Sequence, residues 1–220
     1  DESESRGLGD VYKRQILNAK TGINAIDNGI QELYKNGYMH NHIRMYVASL
    51  SCNIAKNHWN IPAKWMYYHL LDADWGSNAL SWQWVCGSNS NKKYFANQEN
   101  INKYCYTNQK NTYLDIDYSA FQNLNVPKEL LEISDPQLIT VLPKQKKIQL
   151  NDKLPTLIYN FYNLDPHWRK DENLNRVLLL EPEVFKNYPI SVNSVYFMLK
   201  LSENIEGIQL FVGSFHDLKN

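Results

Sequence analysis

From residue 20 to residue 85 apolar side chains recur at helical spacing, in short segments. Ile23, Ile26, Ile30 and Leu33 predict a helix over residues 20–36, with Thr21 as its cap and Gly37 as its end. A second helix is predicted from about His40 to Asn57. A third starts at Pro62, a favoured first-turn residue, carries Trp65, Met66, Tyr68, His69 and Leu70, and ends near Leu71. A fourth spans Gly76–Val85. Short helices of this kind bury their apolar stripes only by packing on one another. The predicted fold class is therefore mainly α through about residue 130.

Several of these faces carry polar residues where a plain core would not. Asn41, Arg44, Met45 and Ala48 share one side of the second helix, because residues three, four and seven apart line up. Asn and Arg beside Met and Ala suggest the wall of a pocket. The end of the third helix presents Asp72 and Asp74. On the fourth, Trp75, Asn78 and Trp82 fall on one stripe, with Trp84 pointing elsewhere.

The rest of the chain is less regular. Residues 87–125 are polar and Asn-rich and read as an extended loop with short helical turns. Another helical turn is expected over Lys128–Ile133. Residues 135–153 hold Pro136, Pro143 and three lysines between 144 and 147, and read as a linker. Beyond it, Arg176–Leu180 and Ile208–Val212 read as strands, with a helix over Ser191–Asn204 capped by Ser191. Strand–helix–strand predicts a parallel crossover and a small α/β-like segment over residues 154–220. At the other end, Asp10-Val-Tyr-Lys-Arg-Gln15 is similar to one reading frame of a transposon-type sequencing adapter. Residues 1–15 are accordingly expected to be non-native, with Ile16 near the first native residue, leaving residues 16–134 as a partial helical domain.

Composition narrows the function classes. The formal net charge is zero, so no global basic field draws the chain to nucleic acid, and any such contact has to be local. Cys52, Cys86 and Cys105 form no Cys-x-x-Cys pair, which gives no support to a zinc ribbon or a thiol redox motif and suits a reducing, cytoplasmic setting. His40, His42, His58 and His69 do not share metal spacing on one helix, so no metal is expected. No apolar run is long enough to predict a membrane span.

Three motifs carry a family resemblance: Tyr38-Met-His-Asn-His-Ile-Arg-Met45, His69-Leu-Leu-Asp-Ala-Asp74 and Ser81-Trp-Gln-Trp84. Together with Asn78, four residues before Trp82, they resemble the flavin-binding heart of the DNA photolyase/cryptochrome family over about residues 20–105. The resemblance implies a helical FAD-binding domain, FAD as cofactor and UV-damaged DNA as partner. By its positions, Asn41, Arg44, Asp72, Asp74 and Asn78 contact the cofactor. An amide suits the flavin N5 edge in either protonation state, and a guanidinium held by a carboxylate steadies the reduced ring. Trp59 and Trp82 match the inner two members of the family's tryptophan electron chain. With Asn78 they are the catalytic candidates. Met45 and Trp84 match the pocket for a flipped pyrimidine dimer, where an aromatic face and a thioether suit a flat apolar lesion.

The implied activity is that of a monomeric deoxyribodipyrimidine photo-lyase, in which blue light drives an electron from reduced FAD to a cyclobutane dimer. A cryptochrome-like photosensor without repair is the alternative, since its flavin pocket would look much the same. The chain departs from the family at His42, often an arginine facing DNA phosphate, and at Ala79-Leu80-Ser81, commonly Asn-Gly-Gly. The family's Thr/Ser-rich FAD-phosphate segment lies upstream, so the chain is expected to be a truncated piece that binds FAD weakly by itself.

Overall fold

The computed structural model describes residues 11–219, so the first ten positions of the expected non-native tail lie outside the described residues. Contacts divide the chain into two compact units, between Gln137 and Leu138. The first is helical: α1 (Arg14–Leu17), α2 (Asn24–Asn36), α3 (Asn41–Ser49), α4 (Asn60–His69), α5 (Trp75–Cys86) and α6 (Gln98–Cys105). A two-residue strand, β1 (Tyr12–Lys13), pairs antiparallel with β2 (Ile133–Ser134), and 3-10 turns at Tyr118–Asn123 and Lys128–Leu130 precede β2. No helix among the described residues is long and apolar enough to cross a membrane.

Local chemistry explains the helix limits. Gly37 ends α2 in a left-handed conformation (φ 67°), and Gly87 ends α5 likewise (φ 77°), where a side chain would be strained. The start of α2 lies later than predicted. Asp27 reaches back to accept bonds from the Thr21 amide (2.7 Å) and hydroxyl (2.8 Å), so Thr21 belongs to the turn before the helix. The helix α4 begins at Asn60, two residues before Pro62. The predicted second helix is not uniform either. After Ser49 it widens into a π-turn, Leu50–Ile54, in which the Ala55 amide reaches back to the Leu50 carbonyl (2.8 Å). This turn places polar side chains in the core. The Ser51 hydroxyl meets the Tyr12 hydroxyl at 2.6 Å, and the Asn53 amide donates to the carbonyls of Val85 (3.0 Å) and Tyr94 (2.7 Å). Within 87–125 the loop expected from sequence contains the two-turn helix α6, capped by Asn97.

The expectation that residues 1–15 stand outside the fold meets a different arrangement at its end. Tyr12 is fully buried, its ring 5.4 Å from that of Trp65, and the Arg14 amide donates to the Glu132 carbonyl (3.0 Å). Residues 12–15 are packed parts of the helical unit.

The second unit is a three-stranded parallel sheet in the order β3 (Thr156–Tyr159), β4 (Asn175–Leu180), β5 (Ile208–Val212). Between β4 and β5 run α7 (Pro182–Asn187) and α8 (Val192–Ser202), and α9 (Phe215–Lys219) follows β5. The predicted strand–helix–strand crossover is present, with Ser191 capping α8 through the Ser194 amide (3.2 Å). Residues 138–153, read from sequence as linker, belong to this unit. Thr140 exchanges bonds with both backbone groups of Ile190, and Gln149 pairs with the Gln209 side chain.

Candidate functional site

The helices α3, α4 and α5, with the turn joining the last two, enclose a cavity of about 750 Å³ in the helical unit. Asn41, Arg44, Met45 and Ala48 line it from α3. Met66 lines it from α4, Leu70, Asp72 and Asp74 from the turn, and Asn78, Trp82 and Trp84 from α5. The structure thus brings together eight of the nine sequence-predicted site residues. The exception is Trp59, which sits at the N-terminus of α4 with its ring beside His58 (5.6 Å) and does not line the cavity.

Two positional expectations on α5 change. Trp75 was placed on the stripe of Asn78 and Trp82, yet its ring lies against Tyr67 (5.6 Å) and away from the cavity. Trp84 was expected to point elsewhere but lines the same cavity. The cavity follows two stripes of α5, one through Asn78 and Trp82 and a second through Ser77, Ser81 and Trp84. Trp82 is buried, with no aromatic ring beside it among the described residues, while Trp84 is half exposed and tilted over Tyr94 (5.8 Å).

Arg44 is restrained from three directions. Its Nε donates to the Met39 carbonyl (2.7 Å), its Nη2 bridges both carboxylate oxygens of Asp72 (3.0 Å each), and its guanidinium lies 5.7 Å from the centre of the Tyr38 ring. Nη1 keeps its donors without a partner among the described residues. Asn78 is oriented by its amide nitrogen, which donates to the Ala63 carbonyl (2.8 Å). A carbonyl only accepts, so this bond settles which end of the amide is nitrogen and leaves Oδ1 as the acceptor. Asp74 is the N-cap of α5. Its Oδ1 accepts from the Ser77 amide (2.7 Å) and hydroxyl (2.8 Å), and these bonds hold its carboxyl below the usual carboxylate range. The cap and the cavity wall are therefore one residue. Asn41 opens α3 and is exposed. His42 stacks between His40 (5.4 Å) and Tyr104 (5.1 Å).

Sequence reasoning did not single out Asn89, which reaches the cavity from beyond α5 with its amide on the Leu80 carbonyl (3.3 Å). No helical period extends to it. Met66 and Leu70, four apart, carried such a signal but read equally as core. Among the described residues no group of three or more His, Cys, Asp or Glu could hold a metal ion.

The donor set fits a flavin. The volume lies in the range of small-molecule and cofactor sites, which run to roughly 300–1,000 Å³, with mostly apolar walls and a few convergent polar groups. A fixed amide acceptor and a fixed cation with spare donors are the polar groups that a ring carrying N–H and carbonyl edges requires.

Comparison with known proteins points the same way. A family model described as the FAD binding domain of DNA photolyase matches residues 12–134, more than half of the chain. The deoxyribodipyrimidine photo-lyase of Agrobacterium fabrum is 41% identical over 75 residues, 34% of this chain and 16% of that protein. Cryptochrome-1 of Arabidopsis thaliana is 33% identical over 89 residues, 40% of this chain and 13% of that protein. The deoxyribodipyrimidine photo-lyase of Streptomyces griseus is 33% identical over 73 residues, 33% of this chain and 16% of that protein. The match thus spans 13–16% of the length of these relatives. No solved structure matches the chain. The family match begins at Tyr12, where the packed strand begins, and takes in every wall of the cavity; the chain belongs to the family of DNA photolyase FAD-binding domains.

Proposed function

We propose that this chain supplies the flavin-facing part of a light-driven DNA-repair enzyme that splits cyclobutane pyrimidine dimers. The observation that carries the reading is the convergence of eight motif residues, from two helices and a turn, on one cavity. FAD bound there supplies single-electron chemistry driven by blue light. The Asn78 Oδ1, held outward by the bond to Ala63, accepts a proton donor at the ring's edge without itself titrating. Arg44, held still by Asp72 and Met39, would offer Nη1 to the reduced flavin. Asn41 and Asp74, which line the same cavity, would contact the cofactor. Trp82 would supply an electron to the flavin from its buried indole, and Trp59, outside the cavity at the start of α4, would be the next donor in the chain. Met45 and Trp84 receive the extruded dimer, whose flat apolar faces suit a thioether and an indole. The enzyme works as a monomer in the cytoplasm.

The likeness to Arabidopsis cryptochrome-1 supports a second reading, a photosensor that uses the same pocket without repair. One experiment separates the two. The full-length protein is purified, its flavin absorbance recorded, and a dimer-containing oligonucleotide illuminated with blue light in its presence. Photoreversal that is lost in Trp84→Ala and Asn78→Leu is the expected result. A flavin-loaded protein that leaves the dimer intact refutes repair and favours the sensor. A colourless protein refutes both.

A further inference from the structure

The cysteines, unremarkable by spacing, are not scattered in space. Cys52 lies in the π-turn and is buried, whereas Cys86 is the last residue of α5 and is partly exposed. The Asn53 side chain bonds to the Val85 carbonyl (3.0 Å), pinning the π-turn to the end of α5 one residue along from each cysteine. The two thiols lie near enough there for each to shift the other's titration. The Cys86 sulfur also has the Gln83 carbonyl and the Ser88 hydroxyl at 3.4 Å.

We propose that Cys52 and Cys86 form a peroxide-responsive dithiol that closes to a disulfide between the π-turn and the end of α5. The partly exposed Cys86 thiolate attacks one oxygen of hydrogen peroxide. The O–O bond breaks, the sulfur becomes a sulfenic acid, and hydroxide leaves and takes up a proton. The Cys52 sulfur then attacks the sulfenic sulfur, loses its proton and expels the oxygen as water. In sum, two thiols and one peroxide give a disulfide and two waters, with two electrons passing from sulfur to oxygen. The division of labour follows from the surroundings. The nearby Cys52 thiol and the Ser88 hydroxyl hold the Cys86 thiol down to about 6, so at neutral pH it is mostly thiolate. The neighbouring Cys86 and burial push the Cys52 thiol up, which suits a resolving partner. Cys105, at the end of α6, has no such neighbour and its thiol is pushed up by burial. This chemistry does not depend on the flavin reading.

The test uses the full 220-residue chain, reduced and then treated with an equivalent of hydrogen peroxide. Free thiols are capped with a maleimide before digestion and mass spectrometry. A peptide pair joined through Cys52 and Cys86, lighter by two hydrogens and released by dithiothreitol, is expected, with Cys105 still fully capped. Cys52→Ala should leave a sulfenic acid on Cys86 that dimedone captures, and Cys86→Ala should leave Cys52 unoxidised. Oxidation of Cys86 to a sulfinic acid with Cys52 still free overturns the proposal. So does oxidation of Cys105 as fast as Cys86, or no linkage at all. The wild-type peptide map decides the matter even if a variant fails to fold.

Discussion

Tyr12 offers the sharpest test of the helical unit, because the sequence places it in a non-native tail and the structure places it in the core. Its ring is fully buried against Trp65, and its hydroxyl meets Ser51 at 2.6 Å. Removing a buried aromatic ring costs about 3–5 kcal/mol through lost transfer and an unfilled cavity. The hydroxyl contributes less. In Tyr12→Phe the Ser51 hydroxyl still donates to the Val47 carbonyl (2.8 Å), so only one neutral bond is lost, about 1 kcal/mol. Tyr12→Ala should therefore cost about four times as much as Tyr12→Phe. With a urea slope of about 2 kcal/mol per molar, the midpoints fall by about 2 M and about 0.5 M. Tryptophan fluorescence is the natural probe, since Trp59, Trp65, Trp75, Trp82 and Trp84 all lie in the helical unit and only Trp168 in the other. In a Ser51→Ala background the cost of Tyr12→Phe should shrink. An alanine variant within about 0.5 kcal/mol of wild type would refute the packing and return residue 12 to the tail.

Three further outcomes follow from particular contacts. Burial pushes His69 down to about 4 from 6.5, so its neutral form is the folded form. Its contribution is intact above the unfolded value and is lost as pH falls from 6.5 toward 4, by about 2–3 kcal/mol at the lower end. His69→Phe should flatten the acid limb of a plot of urea midpoint against pH, and an unchanged limb would contradict the burial. A methyl at Gly29 would meet Ile43 Cγ2 at 2.4 Å, so Gly29→Ala should destabilise by about 1–3 kcal/mol despite a helix-propensity gain of about 1. Ile43→Ala should relieve it, and strictly additive losses would show that α2 and α3 do not approach so closely. For Arg44 and Asp72, with side chains 25% and 54% exposed, a double-mutant cycle should give a coupling of about 1 kcal/mol that shrinks with salt. Zero coupling would leave Arg44 held by Met39 and Tyr38.

What the sequence disclosed and what it hid divide along a physical boundary. Helical faces are local arithmetic, so Asn41, Arg44 and Met45 could be put on one wall, and Asn78 and Trp82 on another, before any packing was known. Stops are equally local, as Gly37 shows. The hidden features are those that packing decides. The π-turn at Leu50–Ile54 has no distinctive composition. It exists because Ser51 and Asn53 find partners in Tyr12, Val85 and Tyr94, all far away in sequence. The pairing of β1 with β2 joins residues 12 and 134, beyond the reach of any window. The strand β3 is four residues after a proline, indistinguishable from loop until β4 pairs with it. Residues 138–153 read as linker because their contacts with Ile190 and Gln209 pass through side chains rather than through a regular period.

The same division bears on how the site has to be read. The helix α5 is anchored near each end by polar bonds that also define the cavity: Asp74 caps its start, Asn78 ties its first turns to α4 through Ala63, and Asn53 grips its last turn at Val85. Asp74 and Asn78 thus hold up the wall they are proposed to use. Substituting Asn78 with a residue that cannot donate removes the bond to Ala63 together with the acceptor offered to a ligand, so a loss of activity alone does not distinguish a chemical role from a displaced helix. Arg44 differs, because its Nη1 holds nothing among the described residues. Arg44→Lys keeps the charge but loses the fork and the bond to the Met39 carbonyl, while the donors of Nη1 that it removes hold no structural bond among the described residues. The electrostatic part of the flavin reading therefore rests more securely on Arg44 than on the amide to which the motif first draws the eye.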